Sequence, residues 1–304
     1  MPCPELKRAI ALILLAALCL NLSCSVPKDS TTSSSSRIFT DEIGRQVTVK
    51  SNPQRIISLA PSITEILFAL KLADRVVGVT SYCDFPDEAR AKEKVGDTIK
   101  PNLERLIALK PDLILISTAS QLEKITQQLD QLGIPVFVTN PKSVNEVVVS
   151  IRKIGELTGA TQRAEEMAAE MQTRIAGVQQ QVTNQSTPRV LYILQLSPLI
   201  TAGKNTFIND LIKQAGGRSI SGDEAADYPQ FSRETALARA PEVIIVPASH
   251  GTELVNLEAV QQAFATTPAI QNSRIVRINP DLIDRPGPRI VEGLEALRAG
   301  IHGK

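Results

Sequence analysis

The chain has 304 residues, enough for two domains that each enclose an apolar core. Its formal net charge is +1 at pH 7, which leaves no electrostatic footprint for nucleic acid or an anionic surface. Aromatic residues make up 3% of the chain and tryptophan is absent, so indole stacking cannot hold a flat ligand here.

The first residues have the pattern of an export signal. Two basic residues precede an apolar run over residues 9–20, which is too short to span a bilayer as a helix. A small residue before Cys24 and a serine-rich stretch after it resemble a bacterial lipoprotein processing site. We predict a signal peptide over residues 1–23, a flexible tether over residues 24–36 and a lipid anchor at Cys24, with simple cleavage nearby as the alternative. The mature protein is then extracytoplasmic.

Cysteine usage agrees with export. Cys3 and Cys19 lie in the signal and Cys24 would carry lipid, which leaves Cys83 without an intrachain disulfide partner. We predict that Cys83 is a small buried side chain, and a reactive thiol is the alternative. The chain has 2 histidines, far apart, which disfavours a carrier of bare zinc or manganese.

Strands alternate with helices over residues 37–141, the predicted N-terminal lobe. A hairpin is predicted over residues 38–50. Core strands are predicted at residues 55–59, 76–79, 113–116 and 135–138, and a helix over residues 121–132. Another helix begins after Pro61, with Ser62 or Thr64 placed to cap it and Glu65 in its first turn. This alternation predicts a parallel sheet covered on both faces.

A long helix is predicted to link two lobes. Residues 143–182 have no strand signal and few helix breakers, and their apolar residues recur at helical spacing. An interruption around residues 155–159 is the alternative to a continuous helix. We assign residues 142–186 to this linking segment.

Residues 187–304 repeat the alternation and form the predicted C-terminal lobe. Strands are predicted at residues 189–194, 243–246 and 274–278, and helices before Gly216 and at residues 232–240, 257–264 and 289–299. The predicted fold class is therefore α/β, with two Rossmann-like parallel-sheet lobes joined by one long α-helix and a ligand cleft between the lobes.

One sequence pattern occurs once in each lobe. Glu104 stands seven residues before Pro111, and Glu234 stands seven residues before Pro241. An acidic residue and a run of aliphatic residues follow each proline. The pattern predicts a helix that ends at the proline, an acidic turn and a buried parallel strand. Two similar lobes, each with one glutamate at the matching place, predict a surface that a partner contacts at two points.

Several segments carry a resemblance to a known family. Residues 41–47 (DEIGRQV) and 55–67 (RIISLAPSITEIL) resemble the start of the helical-backbone class of ABC-importer substrate-binding proteins, which bind iron-siderophores, haem or cobalamin. Residues 77–86 (VGVTSYCDFP), 228–234 (YPQFSRE) and 279–289 (NPDLIDRPGPR) are similar to the vitamin B12-binding branch of that class. The resemblance extends from about Asp41 to the C-terminus.

The resemblance implies roles for individual positions. Glu104 and Glu234 match the two glutamates that dock on arginines of the importer's membrane subunits, and the alternative is a pair of solvated first-turn glutamates. The positions that match ligand contacts in the cleft are Ser62, Tyr82, Tyr228, Asp281, Leu282, Ile283, Asp284 and Arg285. The alternatives are lobe-edge packing for the two tyrosines and a surface ion pair between Asp281 and Arg285.

We predict a monomeric extracytoplasmic solute-binding protein that captures cobalamin or a similar large chelate and delivers it to a membrane permease. No cofactor, metal site or nucleic-acid partner is predicted. Members of the B12 branch often place tryptophans around the corrin, whereas Thr98 and Tyr228 stand at those positions here. This difference keeps a ferric siderophore or haem as alternative ligands.

Two other classes of protein remain as alternatives. An extracytoplasmic enzyme would use acidic side chains, and it requires that two of Asp281, Asp284, Glu104 and Glu234 share a cleft. No nucleophile elbow, phosphate loop or histidine-containing triad is found in the sequence. A binding-only sensor would share the cleft but would pass ligand occupancy to a signalling partner.

Overall fold

The structure is a computed structural model, and it describes residues 35–118, 123–248 and 255–303. The predicted signal peptide, Cys24 and most of the predicted tether lie outside the described residues. Among the helices that are described, none combines the length and the apolar character that crossing a membrane requires.

The N-terminal lobe consists of a hairpin and a four-stranded sheet. The hairpin pairs β1 (Ser36–Thr40) with β2 (Gln46–Lys50) in antiparallel register, as predicted. The sheet strands are β3 (Ile56–Ser58), β4 (Val76–Val79), β5 (Leu113–Ser117) and β6 (Val136–Thr139). The helices are α1 (Pro61–Ala69), α2 (Leu103–Ala108) and α3 (Glu123–Gln131), with 3-10 turns at Ala73–Arg75 and Asp87–Ala91. All the sheet strands are parallel, in the order β4-β3-β5-β6.

Two helices, rather than one, link the lobes. They are α4 (Val144–Thr158) and α5 (Thr161–Val182). The prediction of a continuous helix is therefore wrong, and the interrupted alternative is correct. Gly159 ends α4 in the left-handed conformation, with φ of 76°, and its N–H donates to carbonyls of the last turn.

The two linking helices fold back against each other. The side chain of Arg152 on α4 contacts Glu165 and Gln172 on α5. At Gly155 the helices approach so closely that a Cβ atom would lie 2.2 Å from the Cβ of Ala164. The linking segment is thus an antiparallel helical hairpin.

The C-terminal lobe has the same strand order as the N-terminal lobe. Its strands are β7 (Arg189–Tyr192), β8 (Arg218–Ser219), β9 (Val243–Pro247) and β10 (Ile275–Ile278). Its helices are α6 (Phe207–Gln214), α7 (Arg233–Ala238), α8 (Leu257–Ala263), α9 (Pro268–Gln271), α10 (Pro280–Ile283) and α11 (Ile290–His302). The parallel order β8-β7-β9-β10 repeats β4-β3-β5-β6. The two-residue strand β8 was not predicted, because it is too short to show a pattern.

One apolar core runs through both lobes and the linking helices. It includes Leu113 of the first sheet, Ile151 and Met171 of the linking helices, and Val243 and Leu297 of the C-terminal lobe. Each sheet also packs a second cluster on its other face. Both sheets are therefore covered on both faces, as the parallel arrangement requires. The shared core joins the lobes by apolar packing as well as by the chain.

Candidate functional site

The carboxyl ends of the two sheets face each other. Ser62 follows β3 and Tyr82 follows β4, whereas β10 leads into the segment 279–289 of the C-terminal lobe. A Cβ atom on Gly287 would lie 3.2 Å from the carbonyl oxygen of Ser62, so the lobes meet at this edge. In open α/β sheets ligands bind outside the carboxyl ends of the strands, and we therefore take the space between these edges as the candidate cleft.

Ion pairs cross from one lobe to the other beside this contact. Glu65 of α1 accepts two hydrogen bonds from Arg289, at 2.9 Å from Nε and 2.7 Å from Nη2. Arg285 donates to Asp84 at 2.7 Å, pairs with Asp281 at 2.9 Å and lies 3.5 Å from Glu65. These five side chains are called the cross-lobe network below. They connect the beginning of the N-terminal lobe to the segment after β10.

The start of α1 differs from the predicted capping. The helix begins at Pro61, and the N-cap residue Ala60 makes no side-chain capping bond. Proline at the first helical position needs no cap for its missing N–H. Thr64 donates instead to the Ala60 carbonyl at 3.2 Å, and Glu65 is 3% exposed. Glu65 is therefore a buried ion-pair partner rather than a solvated first-turn residue.

Asp284 has an unusual electrostatic environment. Tyr192, at the end of β7, donates to its carboxylate at 3.4 Å. Part of Asp284 is exposed to water, but protein atoms around its carboxyl group displace much of the solvent there. This desolvation raises the pKa of Asp284 to about 6. The hydrogen bond from Tyr192 and the charge of Arg285 oppose the increase in pKa, and the neighbouring Asp281 adds to it.

Three half-exposed aromatic rings lie close, in sequence or in space, to the charged residues described above. Tyr82 is 56%, Phe85 43% and Tyr228 52% exposed. The guanidinium carbon of Arg289 lies 3.8 Å from the centroid of the Phe85 ring, a distance typical of cation–π contacts. Burial and the nearby charge of Asp284 raise the pKa of the Tyr228 hydroxyl, so Tyr228 approaches the same carboxylate as Tyr192.

The other predicted cleft residues are less accessible. Ser62 is 6% exposed and Leu282 is half-buried. Ile283 is fully buried within the core that the lobes share. Its side chain therefore faces the core and not the cleft, which corrects the prediction of a side-chain contact with the ligand. The segment 281–285 begins inside the helical turn α10.

Glu104 and Glu234 lie at matching positions on the two lobes. Each is exposed and stands in the first turn of its short helix, α2 or α7. Each helix is capped by the side chain two residues earlier, Asn102 or Ser232. A backbone N–H and the Ser232 hydroxyl, which donates at 2.8 Å, lower the pKa of Glu234. Neither glutamate belongs to the cross-lobe network.

Sequence reasoning missed four residues of the site. They are Asp84, Phe85, Tyr192 and Arg289, and the paired role of Glu65 was missed as well. One signal was present, because Glu65 is the single charged residue between Arg55 and Lys71. A carboxylate in so apolar a stretch needs a cationic partner when it is buried. Nothing in the local sequence identifies that partner as Arg289, 224 residues away.

Cys83 is a free buried thiol, as predicted, and is 1% exposed. Within the residues that the structure describes, no group of three or more histidine, cysteine, aspartate or glutamate side chains is placed to hold a metal ion.

Comparisons with known proteins agree with this architecture. Residues 56–282 match a family model described as periplasmic binding protein. An uncharacterized ABC transporter substrate-binding lipoprotein of Bacillus subtilis is 33% identical over 96% of this chain and 96% of its own length. A vitamin B12-binding protein of Photorhabdus laumondii is 32% identical over 81% of this chain and 86% of its own length.

A solved structure shows a similar fold. The periplasmic heme-binding protein of Roseiflexus superimposes with a TM-score of 0.74 and 26% identity, covering 82% of this chain and 98% of the other. Fold, strand order and family model point the same way: this chain belongs to the periplasmic binding protein family.

Proposed function

We propose that this protein is the solute-binding component of an ABC importer. It captures a ligand in the cleft between its lobes and delivers it to a membrane permease, and other subunits hydrolyse ATP. The proposal is supported by membership of the periplasmic binding protein family and by the Bacillus subtilis relative, whose name includes the ABC transporter role.

The proposed ligand is cobalamin or a similar large chelate. The observation that supports this proposal is that Tyr82 in the N-terminal lobe and Tyr228 in the C-terminal lobe both have half-exposed rings, and we place both rings at the cleft. Such rings offer apolar faces to a broad ligand and hydroxyl groups to its polar rim. The Photorhabdus relative is named for vitamin B12 binding. A ferric siderophore or haem is the alternative, since a heme-binding protein has a similar fold.

The proposed contacts with the permease are Glu104 and Glu234. Their exposure and their matching positions on two lobes fit a partner with two similar subunits. A carboxylate accepts paired hydrogen bonds from an arginine, so one such pair per lobe would fix the orientation of the bound protein. A lipid anchor at Cys24 would keep the monomeric protein near the permease. The word lipoprotein in the name of the Bacillus relative supports this anchor.

The proposal assigns no catalytic chemistry to the cleft. The enzyme alternative requires two carboxylates in one cleft, and Asp281 and Asp284 meet that requirement. Asp281 is already paired with Arg285 at 2.9 Å, so it is held as an ion-pair partner rather than as a free acid or base. Family membership also favours transport.

Binding can be tested directly with purified protein. The protein is mixed separately with cyanocobalamin, hemin and a ferric siderophore, desalted, and the absorbance of the protein peak is recorded. We expect one chromophore to remain bound at one per chain. Tyr82→Ala and Tyr228→Ala should each weaken that binding by roughly 1–3 kcal/mol, as expected for a lost aromatic contact. Leu132→Ala, at an exposed apolar residue of the N-terminal lobe, is the matched control. Absence of all three chromophores would contradict the proposal.

A further inference from the structure

The charged groups of the cleft have an excess of carboxylates. Four carboxylates, those of Glu65, Asp84, Asp281 and Asp284, lie with two guanidinium groups, those of Arg285 and Arg289, and Arg90 adds a more distant positive charge that acts on Asp84. The whole chain has a net charge of +1. The acidic character is therefore local to the cleft and does not reflect the overall charge of the protein.

Both arginines of the cleft are already engaged. Arg289 forms two hydrogen bonds with Glu65 and lies over the Phe85 ring. Arg285 contacts three carboxylates, and each arginine side chain is 16% exposed. An anionic ligand that needs a guanidinium group would have to displace one of these carboxylates. Breaking such a pair leaves a charge without its partner in a poorly solvated place.

The polar groups that remain accessible are hydrogen-bond acceptors. The side chains of Asp84 and Asp281 are 39% and 38% exposed, although each already binds Arg285. Within the residues that the structure describes, the carboxylate of Asp284 accepts one long hydrogen bond, of 3.4 Å, from Tyr192, which leaves most of its lone pairs available. An ionised carboxylate accepts hydrogen bonds and cannot donate them. A ligand that satisfies these oxygens must therefore supply N–H or O–H groups or a positive charge.

A second cavity of the same lobe has the opposite character. It has a volume of ≈ 720 Å³ and lies beside the edge strand β8. Its charged lining residues are Arg189, Lys213, Arg218 and Arg239 with the carboxylate of Asp223. The protein thus carries a cationic concavity, but not at the carboxyl ends of the strands, where the ligand is proposed to bind.

We propose that the cleft selects its ligand by charge: it takes uncharged or cationic chelates whose rim carries hydrogen-bond donors such as primary amides, and it rejects chelates whose rim is anionic. This inference rests on the proposed solute-binding function and specifies the ligand class. Asp281 and Asp284 are the selecting groups, because they face the ligand from the segment that follows β10. Arg285 and Arg289 hold that segment against the N-terminal lobe.

The test compares four probes that differ in rim charge. Cyanocobalamin is uncharged with an amide rim, and a ferric complex of the ferrioxamine type is cationic. Hemin carries two carboxylates, and a ferric tris-catecholate carries three negative charges. Titrations at pH 7.5 in 0.15 M salt should give the tightest binding to one of the first two. Both anionic probes should bind at least 100-fold more weakly, which corresponds to about 2.7 kcal/mol.

The outcomes separate the two proposals. Tight binding of hemin or the catecholate complex, lost in Tyr82→Ala, would overturn the charge selection and leave the solute-binding function standing. Binding of no probe would overturn both. Binding of an anionic probe that Tyr82→Ala leaves intact, and that Lys213→Glu with Arg218→Glu abolishes, would locate that probe in the cationic cavity. Charge selection by the cleft would then be upheld.

Variants test which residues are responsible. Asp281→Asn combined with Asp284→Asn should improve the affinity for hemin about tenfold or more, because two negative charges near its carboxylates are removed. Glu258→Gln removes one exposed carboxylate on α8 and should change nothing. Salt gives a second measurement on the unaltered protein. Raising ionic strength should strengthen binding of the anionic probes and weaken binding of the cationic one, because salt screens both interactions. Unchanged hemin affinity in the double variant, or the reverse salt dependence, would overturn the proposal.

Discussion

The two lobes repeat one structural unit almost residue for residue. Lys110 and Ala240, directly before the two prolines, have positive φ angles of 45° and 44°. The acidic residues after the prolines, Asp112 and Glu242, each accept the backbone N–H of the arginine that leads into the first sheet strand of the lobe. Each lobe therefore has the same succession of a short helix, a residue with positive φ, a proline and an acidic residue. The acidic residue ties the start of β5 to β3 in one lobe and the start of β9 to β7 in the other.

The lobes differ where they face each other. The N-terminal lobe contributes the acids Glu65 and Asp84 to the cross-lobe network, whereas the C-terminal lobe contributes Arg285 and Arg289 together with Asp281. None of these residues belongs to the repeated unit. The repeated unit therefore builds two similar sheets, and the segments outside it give the site its charge and make its two sides different.

The largest expected effect comes from the repeated glutamates. Glu104→Arg and Glu234→Arg place like charges against the arginines proposed on the permease, while the cleft is untouched. Single exposed pairs contribute roughly 0–1 kcal/mol, so each single variant should lose little. Two reversals at one interface should abolish docking. Uptake in reconstituted vesicles should therefore be lost only in the double variant, with normal ligand titration. Wild-type uptake by the double variant would show that the matched positions have no docking role.

The cross-lobe network should contribute most to stability. Glu65→Ala leaves Arg289 without its main partner in a place where the side chain is 16% exposed. Removing one member of a buried ion pair costs about 3–5 kcal/mol, and urea unfolding measures this loss. Glu65→Leu combined with Arg289→Met replaces the pair by apolar groups and should recover most of it. A double variant as unstable as Glu65→Ala would mean that packing, rather than the unpaired charge, causes the loss.

The matched acids of the repeat should differ in strength. Asp112 accepts hydrogen bonds from Lys50 and from the backbone of Gln54 and Arg55, whereas among the described residues the Glu242 side chain contacts Arg189 alone. We expect Asp112→Asn to cost about 1–3 kcal/mol and Glu242→Gln about 0.5–1.5 kcal/mol, measured by urea unfolding at pH 7. Equal losses would show that only the shared backbone bond matters.

The stability contributed by Asp112 should depend on pH. Although burial opposes the shift, hydrogen bonds from Lys50 and the backbone lower the pKa of Asp112 below 3.8. A carboxyl group with a lowered folded-state pKa stabilises the fold above its unfolded-state value, and this stabilisation is lost as pH falls through the folded-state value. As the pH falls below 4, the free energy of unfolding of the wild-type protein should therefore decrease more than that of Asp112→Asn.

The sequence was most informative where it repeats itself. Glu104 lies in the first turn of α2 and Glu234 in the first turn of α7, and β5 and β9 follow at the same spacing, so the helix, the turn and the buried strand could be predicted twice. The strands of a parallel sheet that is covered on both faces are apolar along their whole length, so their positions could also be predicted from the sequence. The sequence alone does not decide where the linking helix breaks, because Gly155 stands in the same stretch as Gly159 and remains inside α4.

The cross-lobe network could not be predicted from local patterns. Arg285 and Asp84 are 201 residues apart, and each stands in an otherwise ordinary polar turn. Their pairing depends on how two separate sheets are placed by the linking helices, which no spacing within one element encodes. The orientation of the Ile283 side chain could not be predicted from the sequence either. It lies in a matched motif, yet the turn of α10 directs its side chain into the core.

Asp284 should produce a smaller, pH-dependent effect. Its pKa is raised to about 6. Its neighbours from other elements are Tyr192 of β7 and Tyr228 of the loop between β8 and α7. Its neighbours within its own segment are Asp281 and Arg285. A carboxyl group with a raised folded-state pKa stabilises the fold below its unfolded-state value of 3.8, and this is lost as pH rises through about 6. Asp284→Asn should flatten the stability profile between pH 4 and 7. An unchanged slope would assign that titration to another group.

The smallest expected effect is movement of the lobes on ligand binding. The linking helices α4 and α5 pack against each other, and α11 packs against α5, so the shared core of both lobes would have to be disrupted by a wide hinge motion. The cross-lobe network adds direct ion pairs between the lobes. Small-angle scattering profiles with and without bound cyanocobalamin should therefore nearly superimpose. Glu65→Leu with Arg289→Met tests the two restraints separately. If the core alone restrains the lobes, the profiles of this double variant with and without ligand should also superimpose. A contraction on ligand binding that occurs only in the double variant would show that the ion pairs set the lobe separation.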